Sequence, residues 1–206
     1  MTEITVSRRE RKKEETRQRI FEAAIKLFRE RGFENATVDE ICVRADVAKG
    51  TFFNYFPRKE AVLSYLSEQR LEDIEARGDA LFADPQPARE KLLALYAHAA
   101  SAYESDRELT RFVLGELLHQ QFGPAQETGR RWDAILDRIF EQGQQSGELR
   151  RDVDRARAIE LMTSVYYGLL YLWANCEETQ VPLEHELRER LTLVLDGLAV
   201  PRGGSR

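Results

Sequence analysis

The side chains best suited to bind another molecule lie in one short stretch, from Lys49 to Asn54. A lysine ammonium can donate to guanine O6 and N7 or to a phosphate, and an asparagine amide can pair with adenine. The hydroxyl of Thr51 can meet a phosphate or a base edge, and the ring of Phe53 can contact a thymine methyl group. Gly50 has no side chain, so the backbone can approach a ligand closely there. This set of residue types predicts contact with base edges in the major groove of DNA.

Two short helices around a tight turn would position this stretch, and the sequence from Thr37 to Phe56 predicts them. The first helix is predicted by apolar residues at helical spacing, namely Val38, Ile41, Cys42 and Ala45. Thr37 precedes them and Glu40 follows three residues later, which is the spacing of a capping box. Asp46 is predicted to adopt a left-handed conformation at the turn, and Pro57 ends the second helix. This is the pattern of a helix-turn-helix motif.

Further residues around the motif are predicted to hold the DNA backbone. Tyr55 and Lys59 are expected to clamp phosphates, Lys59 with help from the positive end of the next helix. Thr37 and Arg44 are also phosphate candidates. The predicted DNA-binding residues are therefore Thr37, Arg44, Lys49, Gly50, Thr51, Phe53, Asn54, Tyr55 and Lys59.

The charge of the 206-residue chain is distributed in a way that supports a DNA partner. The net charge is −5, which by itself argues against a polyanion. Residues 1–70, however, carry 15 Lys and Arg against 12 Asp and Glu, whereas residues 71–206 carry 16 against 24. A basic N-terminal part on an acidic body is expected where one end faces phosphate.

The sequence lacks the motifs that are typical of several other classes of protein. The chain has no Gly-rich phosphate loop, nucleophile motif or metal-ligand spacing, so we predict no enzymatic activity, no metal and no cofactor. Cys42 and Cys176 form no redox spacing, and a buried inert thiol is expected for Cys42. The longest apolar run, residues 165–174, is about half the length of a membrane span. With no secretory signal either, the sequence predicts a cytoplasmic protein.

The predicted organisation is all-α, with about nine helices. Residues 1–13 carry a basic cluster and are predicted to form a flexible arm, which is either solvated or follows DNA phosphates and the minor groove. Residues 14–57 are predicted to form the three-helix DNA-binding domain, with Phe52 and Phe56 in its core. Residues 58–200 are predicted to form a larger helical domain for effector binding and dimerisation, and 201–206 a disordered tail. The predicted helices are 14–31, the two of the motif, one from Pro57 to about residue 82, and 88–104, 106–121, 127–146, 155–176 and 183–198.

The larger domain is rich in aromatic residues at helical spacing. Each one alone is best explained as core, because aromatic side chains at such spacing usually are. Together they can enclose an apolar cavity with a few polar groups, which favours an apolar or aromatic effector. The predicted pocket residues are Tyr96, Tyr103, Phe112, Trp132, Phe140, Met162 and Tyr166.

The last two helices are predicted to form a dimer surface. The final helix carries an apolar stripe, and the helix before it is apolar nearly all round, which requires burial on every side. Pairing with a second copy into a four-helix bundle provides that burial. The predicted interface residues are Leu187, Leu191, Val194, Leu198, Leu169 and Trp173.

The sequence between Arg19 and Leu63 resembles the DNA-binding domain of the TetR family of transcriptional regulators. The matching elements are AA…LF…GF, then TVxxI, then VAKGTFFNYF, and finally KExxL. The resemblance implies a dimer that represses its operator until a small molecule binds the C-terminal domain, and the twofold symmetry of a dimer predicts a palindromic operator. The chain departs from the family pattern at Asp46, where glycine is common, at Cys42, where alanine is usual, and at Phe53, where tyrosine is frequent. Two alternatives stay open: a TetR-type activator, and a helical dimeric protein-interaction module that has lost DNA binding.

Overall fold

Nine helices make up the part of the chain that this computed structural model describes, namely residues 7–104, 106–122, 127–176 and 181–199. They are α1 (Arg8–Arg31), α2 (Val38–Ala45), α3 (Lys49–Tyr55), α4 (Ala61–Ala83), α5 (Ala88–Glu104), α6 (Arg107–Phe122), α7 (Glu127–Ser146), α8 (Arg155–Asn175) and α9 (Leu183–Leu198). The described residues form no named strand, and one isolated bridge joins Leu149 to Ala199. The predicted all-α class is confirmed. The predicted tail, 201–206, lies outside the described residues.

Helix α1 begins six residues earlier than predicted, so the basic cluster is helical rather than a flexible arm. Ser7 forms a capping box with Glu10: its hydroxyl accepts from the Glu10 amide (3.2 Å), and the Glu10 carboxylate accepts from the Ser7 amide (2.9 Å). Because this box satisfies two amides of the first turn, it starts a helix among charged residues that have no apolar period. The prediction of a flexible arm over residues 8–13 was therefore wrong. Residues 1–6 of that arm lie outside the described residues.

The helix-turn-helix geometry follows the sequence signals closely. Thr37 and Glu40 form the predicted capping box, with hydrogen bonds of 3.2 Å and 3.0 Å between side chain and amide in each direction. Asp46 ends α2 in the left-handed region, with φ 50° and ψ 56°. Phe52 and Phe56 are fully buried, as predicted, and their rings lie 5.9 Å apart.

The contacts divide the chain into two units, with the boundary between Leu66 and Ser67, inside α4. The sequence predicted the division after Pro57. The first turn and a half of α4 belongs to the first unit, because Tyr65 packs edge-on against Phe21 and Phe56 with centroid distances of 5.1 and 5.8 Å. Tyr65 also donates to the Glu14 carboxylate on α1 at 3.0 Å.

In the second unit α5 and α8 each contact three other helices. Helix α5 packs on α6, α7 and α9, and α8 packs on the same three helices. Helix α9 therefore covers both α5 and α8, and its buried stripe is Leu183, Leu187, Leu191 and Leu195.

This packing accounts for most of the residues predicted for the dimer surface, and their role in dimerisation stays a prediction. Leu187, Leu191, Leu169 and Trp173 are already buried within the single chain, and Val194 and Leu198 are half-buried. The apolar residues of α9 do lie on one side of the helix, but other helices of the same chain cover that side. On α8 and α9 the side chains that face outward lie one or two sequence positions away from the predicted interface residues.

None of the helices, within the residues described, has the length and apolar character needed to cross a membrane.

Candidate nucleic-acid interface and buried aromatic site

Helix α3 presents one exposed face composed of predicted DNA-binding residues. Lys49, Gly50, Phe53 and Asn54 are exposed, whereas Thr51 and Tyr55 are half-buried at its sides. The spacing i, i+1, i+4 and i+5 places these four residues on one side of the helix. The opposite side is held in the core by Phe52. Phe53 keeps 45% of its surface exposed while its edge packs on the Phe52 ring.

The fold does not require a glycine at position 50. A Cβ atom built there meets no atom within 4 Å, and the residue does not have a positive φ. On the exposed face of α3 the backbone is therefore least covered at Gly50, and the side chains of Lys49, Phe53 and Asn54 project around it.

Lys49 carries an acidic partner that the sequence analysis did not identify. Its ammonium lies 2.8 Å from Asp39 Oδ1 at the start of α2, and both side chains are mostly exposed. An exposed ion pair of this kind contributes about 0–1 kcal/mol. Lys49 can therefore leave Asp39 for a phosphate or a base edge at little cost.

Two of the predicted phosphate ligands also have internal partners. Arg44 donates to Glu30 Oε2 on α1 at 2.6 Å, and this hydrogen bond lowers the pKa of Glu30. The Thr37 hydroxyl accepts from the Glu40 amide and donates to the Glu40 carboxylate. The hydrogen bonds from the Thr37 amide and hydroxyl lower the pKa of Glu40, which also pairs with Arg31. Phosphate contact by Thr37 and Arg44 stays a prediction.

Lys59, which is predicted to clamp a phosphate, also has partners within the chain, and its contact with phosphate stays a prediction. Its ammonium donates to the carbonyl oxygens of Phe33 at 2.7 Å and Ala36 at 3.1 Å, and it lies 4.3 Å from the centroid of the Phe33 ring. The residues between α1 and α2 leave carbonyl groups without helical partners, and an ammonium with three donors satisfies them. Lys59 therefore fixes the α1–α2 connection.

Val43 is a surface residue that the sequence analysis passed over. It lies in the last turn of α2 with 84% of its surface exposed. The signal was present, because Val43 falls outside the period formed by Ile41, Cys42 and Ala45. An exposed apolar side chain beside Arg44 can contact a thymine methyl group.

The aromatic residues predicted for the effector pocket meet in the second unit. Tyr96, Trp132 and Tyr166 are in mutual ring contact, with centroid distances of 5.2, 5.5 and 5.9 Å. The hydroxyl of Thr163, which the sequence analysis missed, lies 3.3 Å from both Tyr96 Oη and Trp132 Nε1. Burial raises the pKa of Tyr96 and Tyr166, so both phenols stay neutral.

The other predicted pocket residues also lie in the second unit. Tyr103, Phe140 and Met162 are buried, and Phe112 is half-buried. Among the described residues no three His, Cys, Asp or Glu side chains are grouped to hold a metal ion.

The outward faces of α8 and α9 carry several exposed apolar side chains. Leu161 and Leu172 on α8 are 51% and 49% exposed, and Leu193 on α9 is 73% exposed. Gly168 on α8 and Gly197 on α9 lie among them, and a Cβ atom at either position would meet no atom within 4 Å. We refer to these five residues as the α8–α9 outer face.

Comparisons of the sequence and of the structure with known proteins point to the same family. The model of the tetR family of bacterial regulatory proteins matches residues 20–66. FadR of Thermus thermophilus, a TetR-family transcriptional repressor solved in complex with lauroyl-CoA, is 31% identical; the match covers 92% of this chain and 98% of that one, with a TM-score of 0.74. The fatty acid metabolism regulator protein of Bacillus subtilis (strain 168) is 27% identical over 154 residues, 73% of this chain and 77% of its own length.

A further solved structure shares the fold. FadR from Bacillus subtilis, solved with stearoyl-CoA, is 24% identical over 88% of this chain and 98% of that one, with a TM-score of 0.68. The helix-turn-helix geometry, the family model and the extent of the Thermus thermophilus match show that this chain belongs to the TetR family of transcriptional regulators.

Proposed function

We propose that the protein is a repressor that binds a palindromic operator as a homodimer and is released by a small acyl effector. The observation that carries the DNA-binding part is the exposed face of α3. Its four residues supply a cation, an amide, an apolar ring and a site of close backbone approach, whereas Phe52 on the opposite side is buried in the core.

In this function α3 enters the major groove with its first residues against base edges, as helix-turn-helix proteins do. Lys49 exchanges Asp39 for guanine or phosphate, and Asn54 pairs with adenine. Phe53 and the neighbouring Val43 supply apolar contacts. The exposed basic side chains of the first turns of α1 are available to phosphates, so binding is expected to weaken steeply as salt is added.

The α8–α9 outer face is the surface that we propose for dimerisation. It supports pairing because exposed leucines on both helices surround two glycines that allow close approach of a second backbone. A twofold axis through this face repeats the same contacts on both copies. The two copies of α3 then match half-sites about one helical turn, roughly 34–36 Å, or a multiple of it apart.

The effector assignment rests on the buried aromatic site together with the similarity to a repressor solved with lauroyl-CoA. Stacked rings with a few satisfied hydroxyls suit the long apolar chain of an acyl ligand. The ligand would act by favouring a state in which the two copies of α3 no longer match the half-site spacing, with a coupling of about 1–3 kcal/mol.

The decisive experiment is selection of bound sequences from random double-stranded DNA with the full chain. A palindrome is the expected result, and it would then serve as the operator probe. Lys49→Ala and Thr51→Ala should each weaken operator binding by about 5- to 100-fold, since a specific contact contributes about 1–3 kcal/mol. The helical circular dichroism signal should stay unchanged.

Lys26→Ala, which removes an exposed lysine of α1, is the matched control and should change affinity less. Operator affinity equal to that of the unmodified protein in both α3 variants would contradict the assignment. Recovery of no preferred sequence would favour the alternative of a protein-interaction module. Addition of lauroyl-CoA to the operator complex should release the DNA.

A further inference from the structure

Arg70, on α4 within the second unit, is a partly buried cation with an unused donor. Its Nη2 donates to the Ala102 carbonyl oxygen at 2.9 Å, and its guanidinium carbon lies 4.3 Å from the centroid of the Tyr103 ring. Its Nη1 is inaccessible to solvent and has no hydrogen-bond partner among the described residues. Buried donors are rarely left unsatisfied, so an unpaired guanidinium nitrogen requires an explanation.

Three of the four acidic residues of α4 near Arg70 are bound to other side chains, and the fourth, Glu72, is exposed to solvent. Glu68 and Glu75 both bind Arg131 of α7, which donates to Glu75 at 2.8 and 2.6 Å. Asp73 lies 2.7 Å from His98 Nε2 on α5. Within the described ranges no carboxylate pairs with Arg70. A buried charge is normally paired, and here the available acids serve Arg131 and His98 instead.

The groups nearest to Arg70 are phenols that cannot neutralise it. Burial raises the pKa of Tyr103 and of Tyr166. The positive charge of Arg70 opposes that rise in both, and a side-chain hydrogen bond with Arg70 opposes it further in Tyr103. The two tyrosines are therefore neutral at physiological pH. Tyr166 belongs to the ring cluster with Tyr96 and Trp132. The unpaired Nη1 of Arg70 is thus part of a cation that borders the apolar aromatic site.

We propose that Arg70 anchors the effector by donating from Nη1 to a carboxylate or thioester carbonyl oxygen, while the aromatic cluster accommodates the attached apolar chain. This inference rests on the acyl effector proposed above and names the residue that binds its carbonyl or carboxylate oxygen. An apolar or aromatic ligand without an acceptor oxygen would leave the Arg70 donor unsatisfied. Such a ligand would therefore bind more weakly than an acyl compound of equal length.

The test compares ligands that differ at one atom. Lauroyl-CoA and its thioether analogue S-dodecyl-CoA differ only in the carbonyl oxygen. Laurate alone tests whether the free fatty acid is bound, and CoA alone tests binding without an acyl group. Binding to the full chain is measured by calorimetry and by tryptophan fluorescence. The unmodified protein should bind lauroyl-CoA or laurate about 10- to 100-fold more tightly than S-dodecyl-CoA, since a hydrogen bond to a charged group is of that strength.

The variant Arg70→Met should lose this difference. It should bind lauroyl-CoA about 10- to 100-fold more weakly than the unmodified protein and S-dodecyl-CoA about equally well. Arg70→Lys, which keeps the charge, should fall between the two. Arg77→Met removes an exposed arginine of the same helix and should change neither affinity by more than about twofold.

Folding is checked by operator binding and by the melting temperature without ligand. Among the described residues Arg70 has no carboxylate partner, so Arg70→Met gives up a hydrogen bond to a carbonyl and a ring contact but no ion pair, and it should melt close to the unmodified protein. If it does not fold, Arg70→Lys carries the comparison. Equal weakening of both CoA ligands in Arg70→Met, or undiminished selectivity for the carbonyl, would overturn the role of Arg70 alone. Failure of the unmodified protein to bind any acyl probe would overturn the proposed effector class and this inference with it.

Discussion

The exposed face of α3 contains a glycine, Gly50, that lowers the stability of the fold. Glycine within a helix is about 0.5–1 kcal/mol less favourable than alanine, and a Cβ atom at Gly50 would have free space. We therefore expect Gly50→Ala to raise the free energy of unfolding slightly. The added methyl group should nevertheless hold α3 away from the base pairs and weaken operator binding by about tenfold, the scale of one lost contact.

Gly115→Ala provides a matched control for this pair of effects. Gly115 lies in α6, and a Cβ atom there also meets no atom within 4 Å. This variant should gain similar stability and keep full operator affinity, as measured by thermal melting and fluorescence anisotropy. An undiminished affinity of Gly50→Ala would mean that the α3 backbone does not approach the DNA closely.

The pair between Lys49 and Asp39 competes with DNA for the same ammonium. Asp39→Asn should raise affinity for operator and random DNA alike, by about two- to tenfold, because an exposed ion pair is weak and a negative charge near phosphates is removed. Most of the gain should vanish when Lys49→Ala is also present. Anisotropy titrations of the four combinations measure this coupling, with Glu22→Gln on α1 as a control for charge alone. If the gain in affinity persists fully in the absence of Lys49, it arises from the removed negative charge and not from the release of Lys49.

At the scale of helices, the sequence predicted which segments are helical with good accuracy, and it failed where polar caps decide a boundary. The predicted bounds of α5, α7 and α9 agree with the structure, because apolar periodicity and flanking Gly or Pro mark them clearly. Helix α1 begins at Arg8 because Ser7 and Glu10 cap it. Helix α4 begins at Ala61 rather than directly after Pro57, since hydrogen-bonded turns come first.

The spacing of apolar residues in the sequence also does not predict which element packs against the apolar face of a helix. It correctly placed Leu187 and Leu191 on one side of α9, but that side meets α5 and α8 of the same chain. The unpaired donor of Arg70 and the shared hydroxyl of Thr163 carried no sequence signal, because they depend on which side chains meet across helices. The exposed face of α3, by contrast, was predictable because the motif is local.

The packing of α4 on α7 contains a close approach that allows a sharp test. A Cβ atom at Gly78 would lie 2.4 Å from Ile135 Cγ2. Gly78→Ala gains helix propensity but forces the two helices apart, and overpacking costs about 1–3 kcal/mol. We expect a net loss of stability, measured by chemical denaturation, in contrast to the gain in Gly115→Ala.

Ile135→Leu removes the branch that a new methyl group at position 78 would strike. The double variant Gly78→Ala with Ile135→Leu should therefore recover much of the lost stability. If the double variant is destabilised by the sum of the two single changes, the two side chains are not in contact, and the close approach of α4 to α7 at this point would be refuted.

For the molecule as a whole, function depends on the surface that remains after each chain has buried its own core. Two half-sites are read together only if two chains hold their α3 helices at a fixed spacing. Leu193→Glu and Leu172→Glu each place a carboxylate on the α8–α9 outer face, where a dimer repeats it across the axis. Each should shift the dimer to monomer at micromolar concentration by light scattering, because an unpaired buried charge opposes association.

Since both leucines are about half or more exposed in the single chain, these variants should keep their helical content, and the monomers should bind one half-site weakly. Ala80→Glu, at an exposed position of α4, serves as the control and should remain dimeric. Dimers that persist in both leucine variants would place the interface elsewhere. Monomers that still bind the full operator with unchanged affinity would show that dimerisation contributes nothing to reading the palindrome.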